Sequence, residues 1–161
     1  MAFKIVGVIG ANKPDEETYR QAEKLGSEIA KHGAAVVCGG LGGVMEAVCK
    51  GARAEGGLTI GIIPSDDRND ANPYVQIPIV TGMGVGRNVM LVKTADVVIA
   101  VGGEFGTLSE IGHALNLGKT VIGLGTWKLE RAYHKKILHL VEAETPENAV
   151  ALAMAAISPK E

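Results

Sequence analysis

The stretch that decides the fold runs from Arg87 to Glu110 and reads RNVMLVKTADVVIAVGGEFGTLSE. It begins inside a helical run (Gly86–Ala95) and continues as an apolar strand (Asp96–Val101). It then turns through Gly102, Gly103 and Gly106 and starts a second helix, Thr107–Leu117. A strand without polar alternation is buried on both faces, as in a parallel sheet covered by helices. The same alternation extends both ways. Upstream, Phe3–Gly10, Ala34–Cys38, Leu58–Ile63 and Ile77–Thr81 read as strands. Asn12 and Pro14 open a helix that Gly33 stops, and a second helix covers Val44–Ala54. Downstream come strands at Thr120–Leu124 and Ile137–Val141. Thr145 then caps a final helix, with Pro146 in its first position, that reaches Ile157. This order predicts one α/β domain over residues 1–161: a doubly wound, mostly parallel sheet with helices on both faces.

Composition narrows the function. The 161 residues are 47% hydrophobic and 21% charged, with a formal charge of −2 that offers no footprint for nucleic acid or an anionic membrane. Aromatic residues make up 4%, too few for a base-stacking platform. No apolar run is long enough to span a bilayer, and the start, Met-Ala-Phe-Lys, lacks a signal-peptide layout. Cys38 and Cys49 form no framework and read as reduced, buried, small apolar residues. The four histidines (His32, His113, His134, His139) are scattered, so no metal site is expected. These features predict a cytoplasmic protein that binds neither nucleic acid nor membrane.

Glycine is the outlier, at 22 residues. Eleven of them follow predicted strands: Gly10; Gly39, Gly40, Gly42 and Gly43; Gly82, Gly84 and Gly86; Gly102, Gly103 and Gly106. Loops at the carboxyl edge of a parallel sheet line its ligand crevice, and glycines there let backbone N–H groups close on an anion. Tight turns alone also favour glycine, but four such loops on one edge favour an anionic ligand. The familiar fingerprints are nevertheless absent. No strict Gly-x-Gly-x-x-Gly follows the first strand, and Gly118-Lys119-Thr120 leads from helix into strand, the reverse of a P-loop. Asp66–Asp70 lacks calcium-loop spacing. The polar segment Pro64–Gln76 is long enough for a lid or binding loop.

Candidate ligand contacts are therefore Gly10 and Asn12 after the first strand, Gly39, Gly40, Gly42 and Gly43 after the second, and Gly84, Arg87 and Asn88 before the Arg87 helix. The loop Gly102, Gly103, Glu104, Phe105, Gly106 and Thr107 completes the set. Arg87 suits phosphate because its planar fork donates two hydrogen bonds at once. Glu110 lies one turn past Thr107, within reach of a group attached to that phosphate. A second reading competes. Thr107-Leu108-Ser109-Glu110 has the form of a capping box, in which Glu110 would reach back to the Thr107 amide and need no ligand.

The segment resembles the LOG-like family, formerly labelled lysine decarboxylases, whose members have a Rossmann-like fold. Its hallmark is an arginine-bearing helix followed by Pro-Gly-Gly-aromatic-Gly-Thr-x-x-Glu. On that pattern Arg87 falls on the catalytic arginine, Thr107 on the threonine and Glu110 on the catalytic glutamate. Gly102-Gly103-Glu104 departs from Pro-Gly-Gly, Glu46 stands where glycine is usual, and Ala11-Asn12 replaces a serine-containing turn. The segments GGLGGVMEA (Gly39–Ala47), ANPYVQIPI (Ala71–Ile79) and GMGVGRN (Gly82–Asn88) resemble a sister branch. That branch is related to the DNA-processing protein A Rossmann domain and includes the molybdenum-cofactor carrier protein.

Two functions follow from the resemblance. One is binding of a phosphorylated small molecule, a nucleotide or a molybdenum-cofactor-like pterin, with no resident cofactor. The other is a nucleoside 5′-monophosphate phosphoribohydrolase, in which Arg87 and Glu110 release free base and ribose 5-phosphate. Glu46 and Glu104 would add negative potential beside an anionic substrate, which favours binding over hydrolysis. No lysine stands out as a pyridoxal ligand, so lysine decarboxylation is not expected. Finally, Val89, Met90, Leu91 and Val92 wrap the circumference of their helix with apolar side chains. A homo-oligomer, dimer or tetramer, would bury that surface; the alternative is that the Pro64–Gln76 loop folds over it.

Overall fold

The structure is a computed structural model that describes residues 3–134, 136–137 and 139–157. Seven strands, β1 (Ile5–Gly10), β2 (Ala35–Cys38), β3 (Thr59–Ile63), β4 (Ile77–Val80), β5 (Val97–Val101), β6 (Val121–Leu124) and β7 (Leu140–Ala143), form one sheet. Its order is β4-β3-β2-β1-β5-β6-β7, and every neighbouring pair is parallel. The helices are α1 (Glu16–Lys31), α2 (Val44–Ala54), α3 (Arg87–Thr94), α4 (Phe105–Asn116) and α5 (Pro146–Ile157). The expected doubly wound α/β fold is therefore present, with a sheet that is wholly parallel.

The period of two along each strand sorts side chains between two cores. Val6, Val8, Val36, Cys38, Val97, Ile99, Ile122 and Leu124 pack under α1, α2 and α5. Ile9, Val37, Val98, Ala100 and Val121 pack under α3 and α4. The last strand begins three residues later than its apolar run suggests, at Leu140 rather than Ile137. Strand β4 departs further. Its Ile77, Ile79 and Val80 are exposed, so this apolar run is an edge strand rather than a doubly covered one. Pro78 fits such an edge, where a missing N–H costs no ladder bond.

Helix entries show where local pattern and structure part. Thr145 Oγ1 accepts from the Asn148 amide at 3.1 Å, as its cap position requires. The cap of α1 is Asp15, whose carboxylate accepts from the Thr18 amide at 2.7 Å, and not the expected Asn12. The cap of α4 is Glu104, so the helix begins at Phe105, two residues ahead of the predicted start at Thr107.

Helices α1 and α2 meet at two mid-helix glycines. A Cβ at Gly26 would lie 2.0 Å from the Val48 carbonyl oxygen, and one at Gly51 would lie 1.8 Å from that of Glu23. Backbone this close leaves no room for even a methyl group, which explains why both positions accept the helix penalty of glycine. Overpacking of this kind costs about 1–3 kcal/mol. Gly51→Ala should therefore lower the urea midpoint of unfolding despite alanine's better helix propensity; an unchanged or higher midpoint would show that the helices simply separate.

Candidate functional site

The order of strands reverses between β1 and β5, and a cleft of about 600 Å3 opens at their carboxyl ends. One wall is the turn after β1, from Gly10 to Lys13. The opposite wall is the start of α4, from Glu104 to Thr107, and the floor carries Arg87, Asn88 and Glu110. Gly39 and Gly84 complete the rim from the turns after β2 and β4. Eleven of the sixteen residues singled out from the sequence thus line one cavity: Gly10, Asn12, Gly39, Gly84, Arg87, Asn88, Glu104, Phe105, Gly106, Thr107 and Glu110.

The other five do not line it. Gly40 packs against Ile63 and Gly61, and Gly43 lies against the carbonyl oxygens of Ala11 and Asn12. Gly103 exists for Thr107: a Cβ there would fall 2.2 Å from Thr107 Oγ1. Gly42 and Gly102 shape turns outside the cavity walls. Much of the glycine excess therefore serves turn geometry and close packing rather than ligand approach. Lys13 and Met45 line the cleft but were not predicted. Lys13 was legible as a cation in the first turn after β1; Met45 was not, because only the fold turns its helix toward the cavity.

Arg87 is the anchor. Only 8% of it is exposed, and its Nε is buried without a hydrogen-bond partner among the described residues. One Nη donates to Asn88 Oδ1. The guanidinium also lies against the turn after β2: a Cβ at Gly39 would stand 2.7 Å from Arg87 Nη2 and 2.7 Å from Met45 Sδ. Gly39 is a glycine because the arginine occupies its side-chain space.

Glu110 settles the competition between cap and cleft. With α4 starting at Phe105, Thr107 is inside the helix and 5% exposed, so it cannot be the N-cap that a capping box needs. Glu110 instead joins the cavity floor, where burial pushes its carboxyl up to about 7 against the opposing pull of Arg87. Glu104 makes no capping hydrogen bond, which leaves the first amides of α4 facing the cleft.

Two further expectations change. Glu46 is not in the cleft; its carboxylate accepts from the Tyr19 hydroxyl at 3.1 Å, between α2 and α1, and helps push that phenol up to about 12. The Pro64–Gln76 segment is no free lid. The Asn72 amide donates to the Gly40 carbonyl at 2.8 Å, and the Thr59 hydroxyl donates to the Tyr74 carbonyl at 2.6 Å. Tyr74 and Val75 join the core beneath α1 and α2, on the face opposite α3. Cys38 and Cys49 are buried, as expected, with their sulfurs 3.5 Å apart; that contact and burial push the Cys49 thiol up.

The wholly parallel sheet, with its order reversing at the cleft, makes this a Rossmann-like α/β domain. Residues 3–150 match the model of the SLOG cluster4 family, and the chain belongs to that family. It is 50% identical over 124 residues to an uncharacterised protein of Archaeoglobus fulgidus, covering 77% of this chain and 82% of that one. Among solved structures, it is similar to the molybdenum cofactor binding protein of Rippkaea orientalis (36% identity, TM-score 0.88, 98% and 99% of the two chains). It is also similar to the molybdenum cofactor carrier protein of Chlamydomonas reinhardtii (33%, 0.85, 97% and 99%). The resemblance drawn from the sequence is borne out. Among the described residues, no helix is long and apolar enough to cross a membrane.

The raised Glu110 carboxyl has a measurable signature. The folded protein holds this proton more tightly than the unfolded chain, whose carboxyl titrates near 4.5. Its contribution to stability is complete below that pH, falls as pH rises to about 7, and is flat beyond. Glu110→Gln lacks this slope. The variant should gain on the wild type between pH 5 and pH 8, by an amount of order 2 kcal/mol, in parallel urea titrations. A constant difference across that range would place the carboxyl in solvent.

Proposed function

We propose that this chain binds a phosphorylated small molecule, a nucleotide or a molybdenum-cofactor-like pterin, in the β1/β5 cleft. The observation that carries the reading is Arg87 Nε, a buried donor with no partner among the described residues in a side chain that lines the cavity. Buried polar groups are almost always satisfied, and a phosphate oxygen is a fitting acceptor. The open amides of Gly106 and Thr107 would receive the same anion at the positive end of α4. The likeness to molybdenum cofactor carriers over nearly the whole chain supports the pterin as cargo.

Gly106→Val tests the placement. A Cβ at Gly106 meets no atom within 4 Å, so the substitution fills the cleft and spares the fold. It should abolish binding of AMP, GMP or a pterin phosphate in calorimetric titration with an unchanged melting temperature. Undiminished affinity would refute the site.

Glu110 favours a second reading, the nucleoside 5′-monophosphate phosphoribohydrolase. It is free of the capping role, and Glu46 no longer adds charge to the cleft. Its carboxylate would bind the ribose hydroxyls and stabilise positive charge as the glycosidic bond lengthens, while Arg87 holds the phosphate. Chromatography of nucleoside monophosphates after incubation should then show free base, lost in Glu110→Gln. No free base from any of several nucleotides leaves the binding reading alone.

We also propose a homo-oligomer. Leu91 and Val92 face the core, but Met90 is 37% exposed and Val85 85%, and Ile77, Ile79 and Val80 of β4 are exposed as well. Tyr74 and Val75 of the Pro64–Gln76 segment pack on the opposite face of the sheet, while Pro64 and Ser65 accept from the Gly84 and Gly82 amides in the turn before α3. Light scattering should give at least twice 16.7 kDa, and Met90→Glu should reduce the mass; a wild-type monomer at high concentration overturns the proposal.

A further inference from the structure

One wall of the cleft is aromatic, and anion binding does not use it. Phe105, the first residue of α4, lines the cavity and is 77% exposed. The chain has only two phenylalanines and one tryptophan, yet one of each meets here. The rings of Phe105 and Trp127 have centroids 5.7 Å apart and planes tilted by 37°. Trp127 is itself fixed. It packs against the core beneath α3 and α4, and its indole N–H donates to the Glu104 carbonyl at 3.1 Å. Next to it, the Thr126 hydroxyl donates to the Gly102 carbonyl at 2.6 Å. The turn after β6 is therefore fastened twice to the turn after β5, on either side of Gly103.

These bonds hold Phe105 from behind and leave the rest of its ring open. An exposed aromatic ring on a braced backbone in a cavity wall offers a ligand a flat apolar contact surface. At Gly106, which follows Phe105, a Cβ would meet no atom of the described residues within 4 Å. The anion-accepting amides of the first α4 turn begin one residue away, which places a flat apolar face next to a charged pocket.

We infer that Phe105, braced by Trp127, is the shelf for a planar heteroaromatic ring carried by the phosphorylated ligand, and that it selects such ligands over plain sugar phosphates. The inference rests on the binding reading above and adds the side chain that holds the ligand's ring, a fused, nitrogen-containing bicycle of purine or pterin type. Guanine and pterin share a 2-amino-4-oxopyrimidine ring, so GMP is a fair probe for both, and ribose 5-phosphate is the same molecule without its ring.

Titration calorimetry of the full chain with GMP, ribose 5-phosphate and inorganic pyrophosphate separates the outcomes. The wild type should bind GMP about tenfold or more tighter than ribose 5-phosphate, the size expected for one base stacked on one aromatic ring. Phe105→Ala should remove that advantage and leave ribose 5-phosphate binding unchanged, and Phe105→Tyr should restore it. GMP, but not ribose 5-phosphate, should change the emission of Trp127, the chain's one tryptophan. Equal affinities for GMP and ribose 5-phosphate, or equal losses for both in Phe105→Ala, would overturn the shelf while the anion cleft stands. Failure of all three phosphates to bind would overturn the cleft reading and the shelf with it.

Discussion

Strand β1 hydrogen-bonds to β2 on one side and β5 on the other, and the layout of the cleft follows from that double pairing. The chain leaves β1 through α1 toward β2, and it leaves β5 through α4 toward β6. Right-handed crossovers in opposite directions place those helices on opposite faces of the sheet. Their first turns diverge and leave a gap that no side chain of the core can fill. Gly10 shows how tightly the neighbouring backbone closes below the gap: a Cβ there would sit 2.3 Å from the Val101 carbonyl oxygen. The cleft is thus bounded below by close packing and above by two helix entries.

The electrostatics of the cleft follow from its burial. A guanidinium keeps its proton under any ordinary desolvation, whereas a carboxyl yields first. Burial lowers the proton affinity of Arg87 without bringing it near neutrality, and it pushes Glu110 up to about 7. Near neutral pH the floor therefore carries one fixed positive charge and one negative charge present only part of the time. Lys13 and Glu104 at the rim are both exposed, so water and salt weaken both and their opposite charges largely offset. The pocket is biased toward an anion even though the chain as a whole carries a charge of −2.

Periodicity made the fold legible, because strands and helices here are strong and short. The bounds of α2 follow from its apolar spacing and the glycines before it, and Arg87 and Glu110 were placed on one sheet edge from element order alone. What escaped notice depended on contacts distant in sequence. Thr107-Leu108-Ser109-Glu110 has every residue of a capping box, but the helix starts at Phe105 because Glu104 already accepts its first backbone bond, from Leu108. Glu46 reads as a charge near the ligand until Tyr19, 27 residues away, takes its carboxylate. The β4 run reads as buried because its composition matches β5; only its place at the sheet edge exposes it. Phe105 was legible as part of a loop, but its ring became informative only once Trp127 was found behind it.

The two proposed readings, carrying and cleaving a ligand, differ in the proton they require on Glu110. A phosphate dianion in the cleft would raise the Glu110 carboxyl further, since a nearby like charge disfavours ionisation, and Arg87 can offset only part of that effect because the phosphate engages it too. On the binding reading this is self-consistent: the ligand neutralises the one group on the floor that would repel it. Hydrolysis demands the opposite, because a neutral carboxyl cannot stabilise a ribosyl cation. For the same residues to cleave a nucleotide, Glu110 must ionise with the phosphate bound, and that state becomes rarer the more tightly the anion is held. Strong anion binding and an ionised Glu110 would therefore oppose each other in this cleft, so of the two proposed readings, the burial that lifts the carboxyl to about 7 accords better with a held ligand.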